Sequence, residues 1–333
     1  MRFLKEKIFV TAPSDSISTN SDRLRLSNAI KIFNNNGYAV ELGQTVNMIN
    51  SYTKDEYTVK AKELEDAILN KEIDVIISAN GGNSIINLIP YINFEKLKNV
   101  DEKIIQGFSD NAVLLFLFTT LLGWKSYYAP CFPTFGFNNW DTTITNNFEM
   151  LKGNIVKQNS SPYYESKSLK KVIGKELYGY NLDTKNTIYE LNNIQKFTAS
   201  GTMLGGCLDV IRDIVGTKFD YVENFNDKNK DIIWYIENCA MNLEELNHCL
   251  QAMIDHNWFN NVRCFMIGRG KITLDNDFLQ KQNQLLKEKL EKFKVPILIN
   301  CDFGHLRPFI TIINGSHGNL IYINGKYEIQ QKI

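Results

Sequence analysis

The sequence predicts an α/β protein of two domains. The first is a doubly wound, mostly parallel sheet of flavodoxin-like type; the second is a C-terminal mixed α/β domain. Three observations predict this. Short continuous apolar runs, such as Val75-Ile76-Ile77, alternate with helical patterns through the first half. The alternation breaks down from about Asn154 to Lys196, then resumes in a second α/β segment. The length, 333 residues, suffices for two ordinary domains and a sizeable buried core. The division is therefore drawn at 1–155, an N-terminal α/β domain; 156–196, a linker with a Tyr-rich insertion; and 197–333, a C-terminal domain.

Taken in order, Ile8-Phe9-Val10 reads as a strand leading into Thr11-Ala12-Pro13-Ser14. A helix from about Asp22 to Asn36 stops at Gly37, a residue suited to the left-handed cap. Tyr38 to Leu42 is the next strand. Thr53-x-x-Glu56 is a capping box for a helix running to about Asn70. Asp74 to Ala79 is a continuous apolar strand, as a parallel sheet requires. Ile104-Ile105 opens another strand, followed at once by an apolar helix through Leu122. In the second segment the strands are Ile232 to Ile236, Cys264 to Ile267, Ile297 to Asn300 and Phe309 to Ile313. Helices near Leu243 to Asp255 and Asp277 to Phe293 lie between them, and Asn324-Gly325 is a hairpin turn signal.

Composition excludes several classes. Lys+Arg and Asp+Glu both number 37, so the formal net charge is zero. A protein that holds a nucleic-acid polymer by its phosphates shows a basic excess, and so does one that binds an anionic membrane surface. The longest apolar run, Ala112 to Phe118, is too short to span a bilayer. Met1 to Lys7 has no apolar segment of the kind a signal peptide needs, so none is read. Six cysteines, at 131, 207, 239, 249, 264 and 301, include no C-x-x-C pair. Reduced core cysteine in a cytoplasmic protein explains them better than disulfides or zinc.

Four signals carry chemistry. Ser109, in Gly107-Phe108-Ser109-Asp110-Asn111, lies between a strand and a helix. A sharp turn there lifts Oγ out of the sheet, although the final glycine of G-x-S-x-G is missing. A helix N-cap is the other reading of this serine. Glu237 closes the apolar strand from Asp231 to Ile236, where a carboxylate must be paired. His305 lies just past a buried strand end, where ligands of open α/β sheets bind. The other histidines, 248, 256 and 317, fit a helix surface or a turn. Asn80-Gly81-Gly82-Asn83-Ser84 follows a strand and can present backbone N–H groups to an oxyanion. Together these place a hydroxyl, a carboxylate, an imidazole and a glycine loop at strand ends, the logic of a serine hydrolase.

At these residues the sequence resembles the LD-carboxypeptidase family of serine peptidases, and within it the microcin C self-immunity branch. The resemblance runs from Thr11-Ala12-Pro13-Ser14 through Gly81-Gly82-Asn83-Ser84, Gly107-Phe108-Ser109-Asp110 and Tyr128-Ala129-Pro130. It continues at Gly201 to Leu208, Ile236-Glu237-Asn238, Ile267-Gly268-Arg269 and Phe303 to Pro308. It implies Ser109 as nucleophile, Glu237 as triad acid and His305 as general base. It implies the backbone N–H groups of Gly82 and Asp110 as oxyanion donors, with Asn83 and Ser84 near the substrate. It also implies a homodimer, no metal and no organic cofactor.

Two substrate classes follow from the resemblance. The carboxypeptidases proper cut murein tetrapeptides before the terminal D-alanine. The immunity branch cleaves the amide between an aminoacyl group and a nucleotide-like moiety, as in aminoacyl-sulfamoyl adenylates. The Gly-Gly-Asn-Ser loop, Pro133-Thr134-Phe135-Gly136 and the long insertion from about Gln158 to Lys196 look more like the immunity branch. That insertion has no tryptophan to stack on a base. It offers Tyr163, Tyr164, Tyr178, Tyr180 and Tyr189. A non-catalytic ligand-binding module of doubly wound type is the alternative from another class.

Overall fold

The computed structural model describes residues 7–170 and 172–333. The charged start of the chain, up to Glu6, lies outside them. Among the described residues sixteen strands follow in chain order. The first five are β1 (Lys7–Thr11), β2 (Ala39–Leu42), β3 (Val75–Ser78), β4 (Ile104–Gly107) and β5 (Ser126–Tyr128). Next come β6 (Lys157–Asn159), β7 (Tyr163–Tyr164), β8 (Thr184–Lys185), β9 (Tyr189–Glu190) and β10 (Lys196–Cys207). The last are β11 (Ile232–Glu237), β12 (Val262–Arg269), β13 (Ile297–Gly304), β14 (Ile312–Asn314), β15 (His317–Ile323) and β16 (Lys326–Gln331).

The first sheet runs β2-β1-β3-β4-β5-β14. The strands β1 to β5 are parallel and carry the 2-1-3-4-5 order of flavodoxin-like sheets. β3 is buried at every position, as its unbroken apolar run requires. The helix Asn20–Asn35 is capped by the Thr19 side chain on the Asp22 amide and is followed by Gly37 at φ +87°. Thr53 caps the helix Lys54–Leu69 through the Glu56 amide. The return half of the expected capping box is absent, because the Glu56 carboxylate accepts from the amides of Ser51 and Tyr52.

The second sheet runs β6-β16-β15-β10-β11-β12-β13-β9. Its centre, β10 to β13, is parallel, and its flanks are antiparallel. The Asn324-Gly325 turn joins β15 and β16 with both residues at positive φ, as a type I′ turn needs. Two expectations are corrected. The stretch read as a linker supplies β6 and β9, which close both edges of this sheet, and β7 with β8 form a separate two-stranded ribbon. The strand read at Phe309 to Ile313 and assigned to the second half lies at Ile312–Asn314 and pairs antiparallel with β5 of the first sheet. β5 is buried along its length, and β14 supplies the hydrogen bonds that its outer edge would otherwise lack.

The helix Ala112–Thr120 joins the halves. All nine of its residues are buried. Phe116 stacks on Trp258 at 5.1 Å between ring centroids, and Phe118 on Trp124 at 5.7 Å. A helix apolar on every side is one enclosed on every side, which accounts for its lack of a polar stripe. One continuous core thus runs from Ile76 in the first sheet through this helix to Ile236 in the second. Among the described residues no helix is long and apolar enough to cross a membrane. All six cysteines are free, four of them buried and Cys131 and Cys239 partly so.

Candidate active site

Three strand ends converge. β4 stops at Gly107, Phe108 stays extended, and Ser109 turns sharply into a helical turn that leads to Ala112. Ser109 has φ +63°. That left-handed conformation costs a non-glycine residue roughly 1–3 kcal/mol and lasts only where the surroundings hold it. Asn111 does the holding. Its Oδ1 accepts from Ser78 Oγ at 2.8 Å, and its Nδ2 donates to the carbonyls of Asn80 at 2.8 Å and Phe108 at 2.9 Å. Asn111 thus occupies the place of the glycine that the elbow motif lacks.

Asp110 ties the elbow to two loops. Its Oδ2 accepts from Ser14 Oγ at 2.6 Å and from the amides of Ser84 at 2.8 Å and Ile85 at 3.0 Å. Close approach requires the two glycines of that loop. A Cβ on Gly81 would lie 3.0 Å from Ser109 Cβ, and one on Gly82 would lie 2.6 Å from Asp15 Cγ. Gly82 faces the same space as Ser109. Asn83 is exposed at its rim, whereas Ser84 is turned into the protein.

The second sheet brings the other two groups. Glu237 is the last residue of β11 and is fully buried, and His305 directly follows β13. Ser109 Oγ lies 2.9 Å from His305 Nε2, and His305 Nδ1 lies 2.9 Å from Glu237 Oε2. The His305 backbone amide donates to the same Oε2 at 3.1 Å. With Nδ1–H donating to the carboxylate, Nε2 is left to accept the Ser109 proton. In this arrangement a hydroxyl can attack a carbonyl while its proton passes to an imidazole. The remaining histidines stand apart: His248 within the helix Leu243–Asp255, His256 at its end, and His317 on β15 beside Ser200.

Sequence reasoning missed Tyr128. Its hydroxyl donates to Glu237 Oε1 at 2.7 Å. Burial above all, and then the neighbouring carboxylate, push its phenol well above the ordinary range, so it stays a donor. The available signal was a polar ring closing a short strand, next to Ala129-Pro130. Phe108 was also passed over; its ring lies 4.6 Å from that of His305, with the Arg307 guanidinium 4.4 Å from its centroid.

Two cavities meet at Ser109 and Gly82. The larger, about 600 Å³, is lined by His305, Arg307, Arg25, Lys170, Phe137 and Tyr180, among others. Of the five tyrosines of the insertion, Tyr180 is the one that lines it, and its buried hydroxyl has no partner among the described residues. Burial, and then the guanidinium groups of Arg307 and Arg25, hold the Lys170 ammonium below its usual range. Arg25, Lys170, Lys271 and Arg307 thus share this cavity with the carboxylates of Asp15, Asp22 and Glu165, and Arg25 is paired with Asp22. The smaller cavity, about 370 Å³, is lined by Cys207, Asp209, Arg212 and Met241 but not by His305. Asp209 is fixed there by the amides of Cys239 at 2.8 Å and Ala240 at 2.9 Å.

Residues 8–129 match the LD-carboxypeptidase N-terminal domain, and residues 200–320 match the LD-carboxypeptidase C-terminal domain. The putative carboxypeptidase YocD of Bacillus subtilis is 23% identical over 97% of this chain and 95% of its own length. An MccF-like protein of Streptococcus pneumoniae, solved in complex with AMP, superposes with a TM-score of 0.79 at 20% identity. That match covers 98% of this chain and 99% of the other. The microcin C7 self-immunity protein MccF of Escherichia coli is 21% identical over 90% of this chain and 86% of its own. MccF in complex with glutamyl sulfamoyl guanosine superposes with a TM-score of 0.77 at 18% identity, covering 98% of this chain and 96% of that one. The chain belongs to the LD-carboxypeptidase family of serine peptidases.

Proposed function

We propose that the protein hydrolyses the amide between an aminoacyl group and a nucleotide-like leaving group, with Ser109, His305 and Glu237 as its triad. The observation that carries the reading is the unbroken chain of contacts from Ser109 Oγ through His305 to Glu237, each 2.9 Å long. Ser109 attacks the acyl carbonyl as His305 Nε2 takes its proton. Glu237 holds the imidazole in the required tautomer and stabilises the imidazolium. The amides of Gly82, which lines the space beside Ser109, and of Asp110 are the donors proposed for the developing oxyanion, each worth roughly 3 to 4 kcal/mol in comparable chemistry. His305 returns the proton to the leaving amine, and water then releases the acyl group.

The two cavities support a division of the substrate. A leaving group must lie where His305 can protonate it, which is the larger cavity. Lys170 and Arg307, which no carboxylate of the lining pairs with in a salt bridge among the described residues, suit an anionic or sulfamoyl-type link, and Tyr180 and Phe137 suit a planar base. The acyl group then occupies the smaller cavity. The AMP and glutamyl sulfamoyl guanosine held by the two structural relatives are ligands of this kind. The family resemblance supports a homodimer acting in the cytoplasm; light scattering of the purified protein tests its mass in solution.

The deciding experiment incubates the protein separately with an aminoacyl-sulfamoyl adenosine and with murein tetrapeptide, and measures product masses. Free amino acid and sulfamoyl adenosine are expected from the first. Release of D-alanine from the tetrapeptide alone would move the protein to murein recycling on the same triad. No product from either substrate would favour the ligand-binding module.

A further inference from the structure

One buried nucleophile beside the triad, in the lining of the smaller cavity, takes no part in the bond-breaking steps of the hydrolysis. Cys207 ends β10, and its register partner across the parallel pair is Glu237, which ends β11. The thiol is 2% exposed, and its Sγ lies 3.6 Å from Asp209 Oδ2. Cys207, Glu237 and His305 each offer one ligand atom, and these atoms all lie within 4.8 Å of one another.

We infer that Cys207, Glu237 and His305 form a binding site for a soft divalent cation of the zinc type, and that its occupancy switches the hydrolytic site off. Thiolate, imidazole and carboxylate are the donors that zinc selects. Tetrahedral zinc with bonds of about 2.0–2.3 Å needs its donors roughly 3.3 to 3.8 Å apart, so these side chains need move by only about an ångström. The smaller cavity, lined by Cys207, Cys239 and Ser109, is the way in to the thiol. Thiolate and carboxylate together balance the charge of a dication.

In the empty site the Cys207 thiol donates to Asp209 Oδ2. An arriving dication supplies the opposite charge that lets the thiol lose its proton to solvent. The imidazole binds as a neutral ligand through one nitrogen. If that is Nε2, its lone pair is taken. If it is Nδ1, the ring proton moves to Nε2. Either way Nε2 can no longer accept the Ser109 proton, and Glu237 is drawn from its place against His305. Cation and catalysis thus exclude each other on the same two residues. The binding stands by itself, whereas the inhibition rests on the hydrolase reading.

The test uses cobalt as a spectroscopic stand-in, added to the full protein under reducing conditions. Wild type is expected to bind one equivalent and show a thiolate-to-cobalt charge-transfer band in the near ultraviolet. Cys207→Ser is expected to lose the band, while Cys239→Ser keeps it. Zinc is expected to inhibit wild-type turnover reversibly, with relief by a chelator. The Cys207→Ser protein, compared with and without zinc, is expected to need at least about a hundredfold more. No band in wild type, or a band that survives Cys207→Ser, overturns the site whether or not any substrate has been found. A full band with undiminished turnover overturns the switch.

Discussion

Tyr128 ends a strand of the first sheet, and its hydroxyl donates at 2.7 Å to Glu237, which ends a strand of the second. The carboxylate that orients His305 is thus held by both halves of the chain. Tyr128→Phe keeps the ring and removes the donor, leaving Glu237 Oε1 buried and unpaired. The expected cost is about 1–3 kcal/mol of stability, read from urea unfolding, with a fall in turnover and little change in KM. Unchanged turnover would make the contact structural only.

Ser109→Ala removes one oxygen from a braced turn. Turnover is expected to drop by a factor on the order of 10^6, with circular dichroism and unfolding midpoint preserved. Near wild-type activity in the purified variant would remove Ser109 from the nucleophile's role.

Glu237→Gln retains the shape and loses the charge that, in the proposed triad, stabilises the imidazolium. A drop in kcat on the order of 10^4 is expected by analogy with the Asp→Asn change in the chymotrypsin triad. Binding of a substrate analogue, measured by calorimetry, should change little. A folded and fully active variant would sink the assignment.

Gly304 precedes His305 at φ +104°, and a Cβ there would lie 2.5 Å from Glu237 Oε2. Gly304→Ala therefore strains the backbone and pushes on the carboxylate at once. A stability loss of roughly 1–3 kcal/mol is expected, together with at least about a hundredfold loss of kcat. Loss of stability with intact kcat would show that the loop moves as a unit and carries Glu237 with it.

The cations of the larger cavity predict a preference that calorimetry can measure. AMP should bind more tightly than adenosine, and Arg307→Gln should narrow the gap by about ten- to a hundredfold, as loss of a hydrogen bond to a charged group does. Added salt should narrow it as well. Equal affinity for AMP and adenosine in wild type would remove the anion from the leaving-group reading.

The local parts of this site were legible in the sequence. Ser109, Glu237 and His305 each follow an apolar run, and a polar residue that closes a buried strand announces itself within a few positions. Their meeting was not legible from spacing, since Ser109 and His305 are 196 residues apart; it was read from their shared place at strand ends and then from the family resemblance. β10 escaped because its apolar signal is diluted by Gly201, Gly205 and Gly206. Those glycines are set by packing: a Cβ on Gly201 would lie 2.7 Å from the Asp231 carbonyl, and Gly205 backs directly onto that of Tyr235. No periodicity reports such a contact. Tyr180 could not be picked from its four neighbours for the same reason, since its place in the cavity depends on where the insertion folds back.

The strand β14 pairs Ile312 with Tyr128 and so finishes the first sheet from far along the chain. On the ribosome this reverses the usual order, in which an N-terminal domain is complete before its successor appears. The nascent first sheet waits with an unpaired edge until every strand from β1 to β13 has been translated. Such an edge invites pairing with other chains. A stalled or prematurely terminated translation product of this protein is therefore a candidate client for chaperones, even when its N-terminal half is whole.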